Sequence, residues 1–180
     1  MALGGNEPSG FGPPARTITL SLARLATSLG PLLAVSRFYL TPAFPAGSGP
    51  EYVNAVAALA TDKAPEAILP CLHQIEAEAG RTRERRWGAR TLDLDLLLVG
   101  DLILPDQKTV AEWICLDAEM QQSATPDRLI LPHPRLQDRA FVLVPLAEVA
   151  PGHRHPLTGR TVTEMLAALP TEDRRAVRPF

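Results

Sequence analysis

Residues 86–97 read Arg86-Trp87-Gly88-Ala89-Arg90-Thr91-Leu92-Asp93-Leu94-Asp95-Leu96-Leu97. Two carboxylates stand two residues apart at the mouth of an apolar run, Leu94, Leu96, Leu97, Leu98 and Val99, that Gly100 closes. A run of that length and composition reads as a buried strand. Side chains alternate across a strand, so Asp93 and Asp95 leave it on one face. Carboxylates held that close raise each other's pKa unless a cation sits between them. A hard oxygen-liganded ion, Mg²⁺ first, suits the pair, because one or two carboxylates usually hold it while substrate phosphates complete its shell.

The segment feeding this strand, residues 81–90, carries five arginines, one glutamate and no apolar periodicity. It reads as a cationic loop in a chain whose formal net charge is only −2. The planar guanidinium fork pairs bidentately with phosphate oxygens, and none of the five cations is a lysine. Trp87-Gly88 adds an aromatic beside a flexible joint. Loop and strand together describe a site where phosphates and a divalent ion meet.

Working outward, Leu3 to Asn6 reads as the end of a short first strand running into a glycine turn. From Thr17 to Leu29, Ile18, Leu22, Leu25 and Leu29 recur at helical spacing, and Gly30-Pro31 stops the helix. Leu32 to Leu40 reads as a strand. Thr41 to Pro50, with three prolines and two glycines, is a loop long enough to carry function. Tyr52 to Ala60 is the second arm of that elongated hairpin. Pro65 to Ala79 is a helix, with Pro65 suited to its first turn and Pro70 inside it. The expected fold is therefore α+β: a ferredoxin-like βαββαβ antiparallel sheet with both helices on one face and the other face free for a ligand. Residues 101–128 lack a clear period and read as an insertion with one helix. C-terminal additions follow: a helix from Arg139 to Val149 interrupted by Pro145, then a last short helix through Leu169 begun by the capping-box pair Thr161 and Glu164.

At 180 residues the chain is long enough for one domain with a sizeable core, 1–180, including the insertion. An apolar fraction of 46% with no stretch approaching about 18 uncharged apolar residues argues against a membrane span. The N-terminus has no basic and apolar leader pattern, and Cys71 and Cys115 have no metal-ligand spacing, so a cytoplasmic, reduced protein is expected.

The residues around Asp93 and Asp95 resemble the 6-hydroxymethyl-7,8-dihydropterin pyrophosphokinase family of folate biosynthesis. Its signature is met by Arg86, Gly88, Ala89, Arg90, Asp93, Asp95, Leu96 and Leu97. Further blocks match in order: Val35 to Pro42, Tyr52 to Ala55, Ile75-Glu76, Pro132-His133, and Arg139 to Phe141. The resemblance, spanning residues 3–150, implies transfer of the diphosphate of ATP to the pterin hydroxymethyl oxygen with release of AMP. It implies that Asp93 and Asp95 hold two Mg²⁺ ions and that Arg81 and Arg90 stabilise the moving phosphoryl oxygens. Arg83 and Trp87 fall at loop positions that close the site. Glu76, His73, Arg128, Ile130, His133 and Arg139 fall at nucleotide contacts. Tyr52 and Phe141 occupy the positions of a pterin-stacking pair, with Asn54 and backbone groups of Thr41, Pro42 and Phe44 at the ring's edge. Taken alone, Tyr52 and Phe141 read as core, His133 as a turn cap and Glu76 as a solvated acid.

The chain departs from the family pattern at Gly5, where serine is usual, at His73, where an amide is usual, and at Pro134, where an aromatic is frequent. The arginine loop is one residue short of some relatives, and the insertion has no family role. Small-molecule substrates are expected as the only partners of a monomer, without nucleic acid or membrane. One rival is another Mg²⁺-dependent phosphotransferase or nucleotidyltransferase on a similar sheet, which would recruit a third carboxylate. The other is a nucleic-acid module, which would spread basic charge along a face.

Overall fold

The computed structural model describes residues 1–43, 47, 49–81, 90–117, 120 and 124–180. In chain order the elements are β1 (Ala2–Gly5), α1 (Pro14–Leu29), β2 (Leu32–Val35), β3 (Tyr39–Thr41), β4 (Tyr52–Leu59), α2 (Pro65–Glu78), β5 (Asp93–Asp95), α3 (Gln107–Cys115), α4 (Ala140–Val149), α5 (Val162–Ala168), α6 (Thr171–Ala176) and β6 (Arg178–Pro179). The sheet runs β5-β1-β4-β3-β6, with β2 also on β4. Every pairing in it is antiparallel.

The helical stripes seen in the sequence form the first core. Ile18, Leu22, Leu25 and Leu29 of α1 and Ile68, Leu72 and Ile75 of α2 pack against Leu3, Val53, Ala55, Ala57 and Leu94 of the sheet. These alternate residues of β4 define one face, as the two-residue period requires. Both helices start on proline at their first turn, where its missing N–H costs nothing.

Three expectations need correction. The opposite face of the sheet is not free: α4 packs on it, joining Leu143 and Leu146 to Val56, Leu97 and Met165 in a second core. The reason is compositional, since Ala140, Val142, Leu143, Pro145 and Leu146 are all buried, and a helix apolar nearly all round must be covered. At one edge of this face Tyr39 and Ala140 pack together.

The single strand expected from Leu32 to Leu40 divides at Ser36. Val35 pairs with Ala57 and Tyr39 with Asn54, so four steps on one strand match three on the other. Ser36 accommodates the bulge by accepting from the Val56 N–H through Oγ at 3.0 Å while its own N–H donates to the Val56 carbonyl; such bulges bend a strand and increase its twist. The strand expected to continue to Val99 forms ladder bonds only over Asp93–Asp95. Beyond them Leu96 and Leu97 stay buried, one in each core, and the Leu97 carbonyl accepts from the N–H of His133 instead.

Among the described residues the insertion contains a helix, α3, whose N-cap Asp106 accepts from the Thr109 N–H at 2.9 Å. The capping box of Thr161 and Glu164 is formed in full. Neither α6 nor β6, a two-residue edge strand containing proline, is announced by a sequence pattern. Among the described residues no helix is long and apolar enough to cross a membrane.

Candidate active site

Register places the acidic pair. Gly4 of β1 lies opposite Asn54 of β4 on one side and Asp93 of β5 on the other, while Ala2 lies between Val56 and Asp95. Asp93, Asp95 and Asn54 therefore share one face of the sheet, the face on which α4 packs. A Cβ on Gly4 would stand 2.7 Å from Asn54 Oδ1, and one on Gly5 2.7 Å from the Thr91 carbonyl. The two glycines let a side chain and a neighbouring backbone close onto this strand end.

Arg81 and Arg90, from the two ends of the cationic loop, both converge on Asp93. The Arg81 Nη2–Asp93 Oδ1 distance is 2.7 Å, and Arg90 Nη1 donates to Oδ2. Burial, then the neighbouring charge of Asp95, push the Asp93 carboxyl above its ordinary value, and the two guanidiniums pull it back. Asp95 faces Arg139 Nη1 at 3.8 Å. The guanidinium of Arg139 also lies 5.6 Å from the centre of the Phe141 ring, so one cation touches both the acidic pair and the aromatic.

The donor set fits a hard divalent ion. Two carboxylates project from one face, and no group of three His, Cys, Asp or Glu side chains forms among the described residues. That composition suits an ion completed by phosphate oxygens better than an all-protein cage.

Glu76 is 2% exposed, not the solvated acid its helical position suggests. Its Oε1 accepts from the Leu94 N–H at 2.8 Å and from Arg81, so it fastens α2 to β5 and orients the loop arginine. His133 Nδ1 accepts from the Arg135 N–H at 3.1 Å. Burial holds this imidazole below its ordinary pKa against the pull of Asp95. With Nδ1 used as an acceptor, a neutral ring carries its proton on Nε2, where it can donate.

A cleft of about 1020 Å³ runs from this cluster. Arg81, Arg90, Asp93, Asp95, His133 and Arg139 line its charged end, and Glu76, His73, Arg128 and Ile130 line it further along. Arg128 is held by Asp127 at 3.1 Å. The proposed pterin side lies outside this lining, on the sheet face itself. Asn54 is 7% exposed and donates through Nδ2 to Thr41 Oγ1 at 2.7 Å. Tyr52, half-buried, has its hydroxyl pushed up by burial and feels Arg90 and Asp93, which sets it beside the acidic pair. Phe141 is 38% exposed at the start of α4, rather than in the core. Pro42 is exposed. Phe44, Arg83 and Trp87 lie outside the described residues.

Sequence reasoning missed three contributors. Asn6, 5% exposed, accepts from the Arg90 N–H at 2.8 Å and donates to the Pro50 carbonyl at 3.1 Å. It thus pins the roots of both long loops to the first strand; its place after two glycines was the available signal. Arg135 and Trp113 also line the cleft, and nothing in their spacing announced it.

Comparison with known proteins places the chain in a family. A small α+β protein whose sheet end joins paired aspartates to convergent arginines belongs to the phosphate-transferring class, and the model of the 7,8-dihydro-6-hydroxymethylpterin-pyrophosphokinase (HPPK) family matches residues 1–151. A 2-amino-4-hydroxy-6-hydroxymethyldihydropteridine pyrophosphokinase of Pseudomonas aeruginosa is 43% identical over 141 residues, 78% of this chain and 74% of the relative. One of Methylorubrum extorquens is 35% identical over 162 residues, 89% of each chain. In fold, the chain resembles the crystal structure of Plasmodium falciparum HPPK-DHPS wild type, with TM-score 0.61 and 13% identity. That match covers 92% of this chain but 43% of the much longer Plasmodium one. The chain belongs to the HPPK family. It is accordingly an enzyme, a pyrophosphokinase of folate biosynthesis.

Proposed function

We propose that the protein transfers the β,γ-diphosphate of ATP to 6-hydroxymethyl-7,8-dihydropterin. The hydroxymethyl oxygen attacks the β-phosphorus and loses its proton, the bond from that phosphorus to the α,β-bridging oxygen breaks, and AMP leaves. The observation that carries the reading is the convergence of Arg81 and Arg90 on Asp93 beside Asp95, at the end of a cleft roomy enough for a nucleotide.

Within this reading Asp93 and Asp95 hold Mg²⁺, two ions in all, and the bound metal would neutralise the triphosphate and align the attacking oxygen. Arg81 and Arg90 move from Asp93 to the phosphoryl oxygens as charge develops there. His133, Arg139 and the loop residue Arg83 hold the phosphates, with Trp87 closing over them. Glu76 serves by holding Arg81, and His73, Arg128 and Ile130 flank the nucleoside. The pterin stacks between Tyr52 and Phe141, with Asn54 and the Thr41–Phe44 backbone at its edge. The Asn54–Thr41 hydrogen bond leaves one amide hydrogen and Oδ1 for that edge.

We read the frame as ferredoxin-like, since strands β5-β1-β4-β3 run antiparallel in the order that two βαβ units generate. We take the protein to act in the cytoplasm as a single-domain monomer. The lack of a third carboxylate among the described residues favours this reading over a nucleotidyltransferase with three metal-binding acids.

Incubation with ATP, Mg²⁺ and the hydroxymethyl dihydropterin, followed by chromatography of the nucleotides, tests the reading. AMP forming in step with pterin consumption is expected; ADP, or no reaction, refutes it.

A further inference from the structure

Two walls leave the charged end of the cleft, and each carries apolar residues along its length. On α2, Glu76, His73, Leu69 and Glu66 recur at three- and four-residue spacing, so they share one helix face. Glu76 is tied to the acidic strand through Leu94, and at the helical rise Leu69 lies roughly 10 Å further along. Opposite, His133 is tied to the same strand through the Leu97 carbonyl, and Ile130, Leu129 and Arg128 lie progressively beyond it. Leu69, Leu129 and Ile130 therefore line the cleft away from its charged end, before Glu66 and Arg128.

The insertion is fastened to this far end. Leu104 and Leu131 exchange backbone hydrogen bonds of 2.8 and 3.0 Å, and α3 is anchored by Val110, which is 0% exposed. Three residues on, Trp113 lines the cleft. It is half-buried, yet it belongs to none of the apolar cores of the described residues. A tryptophan that lines the same cleft as Leu69, outside those cores, offers a broad, flat apolar surface. His73 and Arg128 bring polar groups to the lining of the same space.

We infer that the insertion supplies a base-binding wall, with Trp113 stacking on the purine of the nucleotide. This inference rests on the nucleotide reading above. It gives the insertion a purpose within the reaction, fixing the base while the cations handle the phosphates. A slot with apolar faces and polar rim groups suits a heteroaromatic ring, which stacks through its faces and hydrogen-bonds at its edge.

The test compares binding of a non-hydrolysable ATP analogue and of inorganic tripolyphosphate, each with Mg²⁺, to the wild type, Trp113→Ala and Trp113→Phe. Loss of base stacking is expected to weaken the ATP analogue about tenfold in Trp113→Ala. Tripolyphosphate, which has no base, should bind all three proteins alike, and Trp113→Phe should stay close to wild type. In a Trp87→Phe background, where Trp113 is the remaining tryptophan of the two, its fluorescence should change with the ATP analogue and stay constant with tripolyphosphate. Equal weakening of both ligands would mean that the wall merely collapsed, and unchanged nucleotide affinity would mean that Trp113 touches no base; either overturns the inference while leaving the nucleotide reading intact. Failure of the wild type to bind the ATP analogue would instead overturn the reading beneath it.

Discussion

The phosphate end of the site and the proposed pterin corner are built in opposite ways. At the phosphate end Arg81, Arg90, Asp93 and Asp95 come from one short piece of chain, and the two arginines meet Asp93 as ion pairs in the folded protein. At the pterin corner Tyr52, Asn54 and Phe141 come from β4 and α4, and shape does the assembling: Gly4 makes room for Asn54 and the Asn54–Thr41 bond fixes its amide. A local charge cluster tolerates small shifts of the scaffold, because guanidinium and carboxylate groups find each other over several ångströms. A corner made by register does not. Damage to the first should therefore strike the chemical step, and damage to the second the recognition of the acceptor.

The largest effect separating them is expected for Asp95→Ala, which removes half of the proposed metal site. Turnover at saturating substrates should fall by about three orders of magnitude or more, with the far-ultraviolet dichroism of the wild type retained; ordinary turnover at millimolar Mg²⁺ would break the assignment. Gly4→Ala should act on the other region alone. The new methyl must push Asn54 off its position, raising KM for the pterin about tenfold while leaving ATP affinity within about twofold. A variant that loses ATP affinity equally would show that the two regions are not separable. Asn6→Ala sits between them, removing hydrogen bonds to both loop roots. A stability loss of about 1–3 kcal/mol in urea titration is expected, and no loss at all would mean that these bonds are exchanged freely for water.

The smallest effect concerns pH. The Asp93 carboxyl is raised in the folded protein, so between its unfolded and folded values the native state binds more protons than the unfolded one. Stability contributed at this position then falls as pH rises from about 3.8 through the folded value. In Mg²⁺-free buffer Asp93→Asn should gain on the wild type across that window and keep the gain above it. A stability difference that shrinks with rising pH would contradict the sign.

The same contrast explains what could be read from the sequence. The helices α1 and α2, the hairpin of β3 and β4, and the Thr161 cap followed from period and local chemistry, because each is determined by neighbours along the chain. The acidic pair was legible because the arginines that meet Asp93 lie within fifteen residues of it. The covering of the second face was not, although the uniform apolarity of residues 140–146 was a cue, since it demanded burial without naming the surface. Ser36 hid a bulge because a serine side chain can take a ladder bond that its strand neighbours cannot. Asn6 and Trp113 acquire meaning only from residues far away in sequence. The exposure of Phe141 beside Arg139 reversed the reading that its helical position suggested.

The central claim, transfer of an intact diphosphate, is tested most directly by phosphorus NMR of a reaction containing enzyme, ATP, Mg²⁺ and the hydroxymethyl dihydropterin. The account predicts loss of the three ATP resonances and equal growth of AMP and of a two-phosphorus ester on the pterin. Appearance of ADP with a pterin monophosphate, or of free pyrophosphate with AMP on the acceptor, would contradict it.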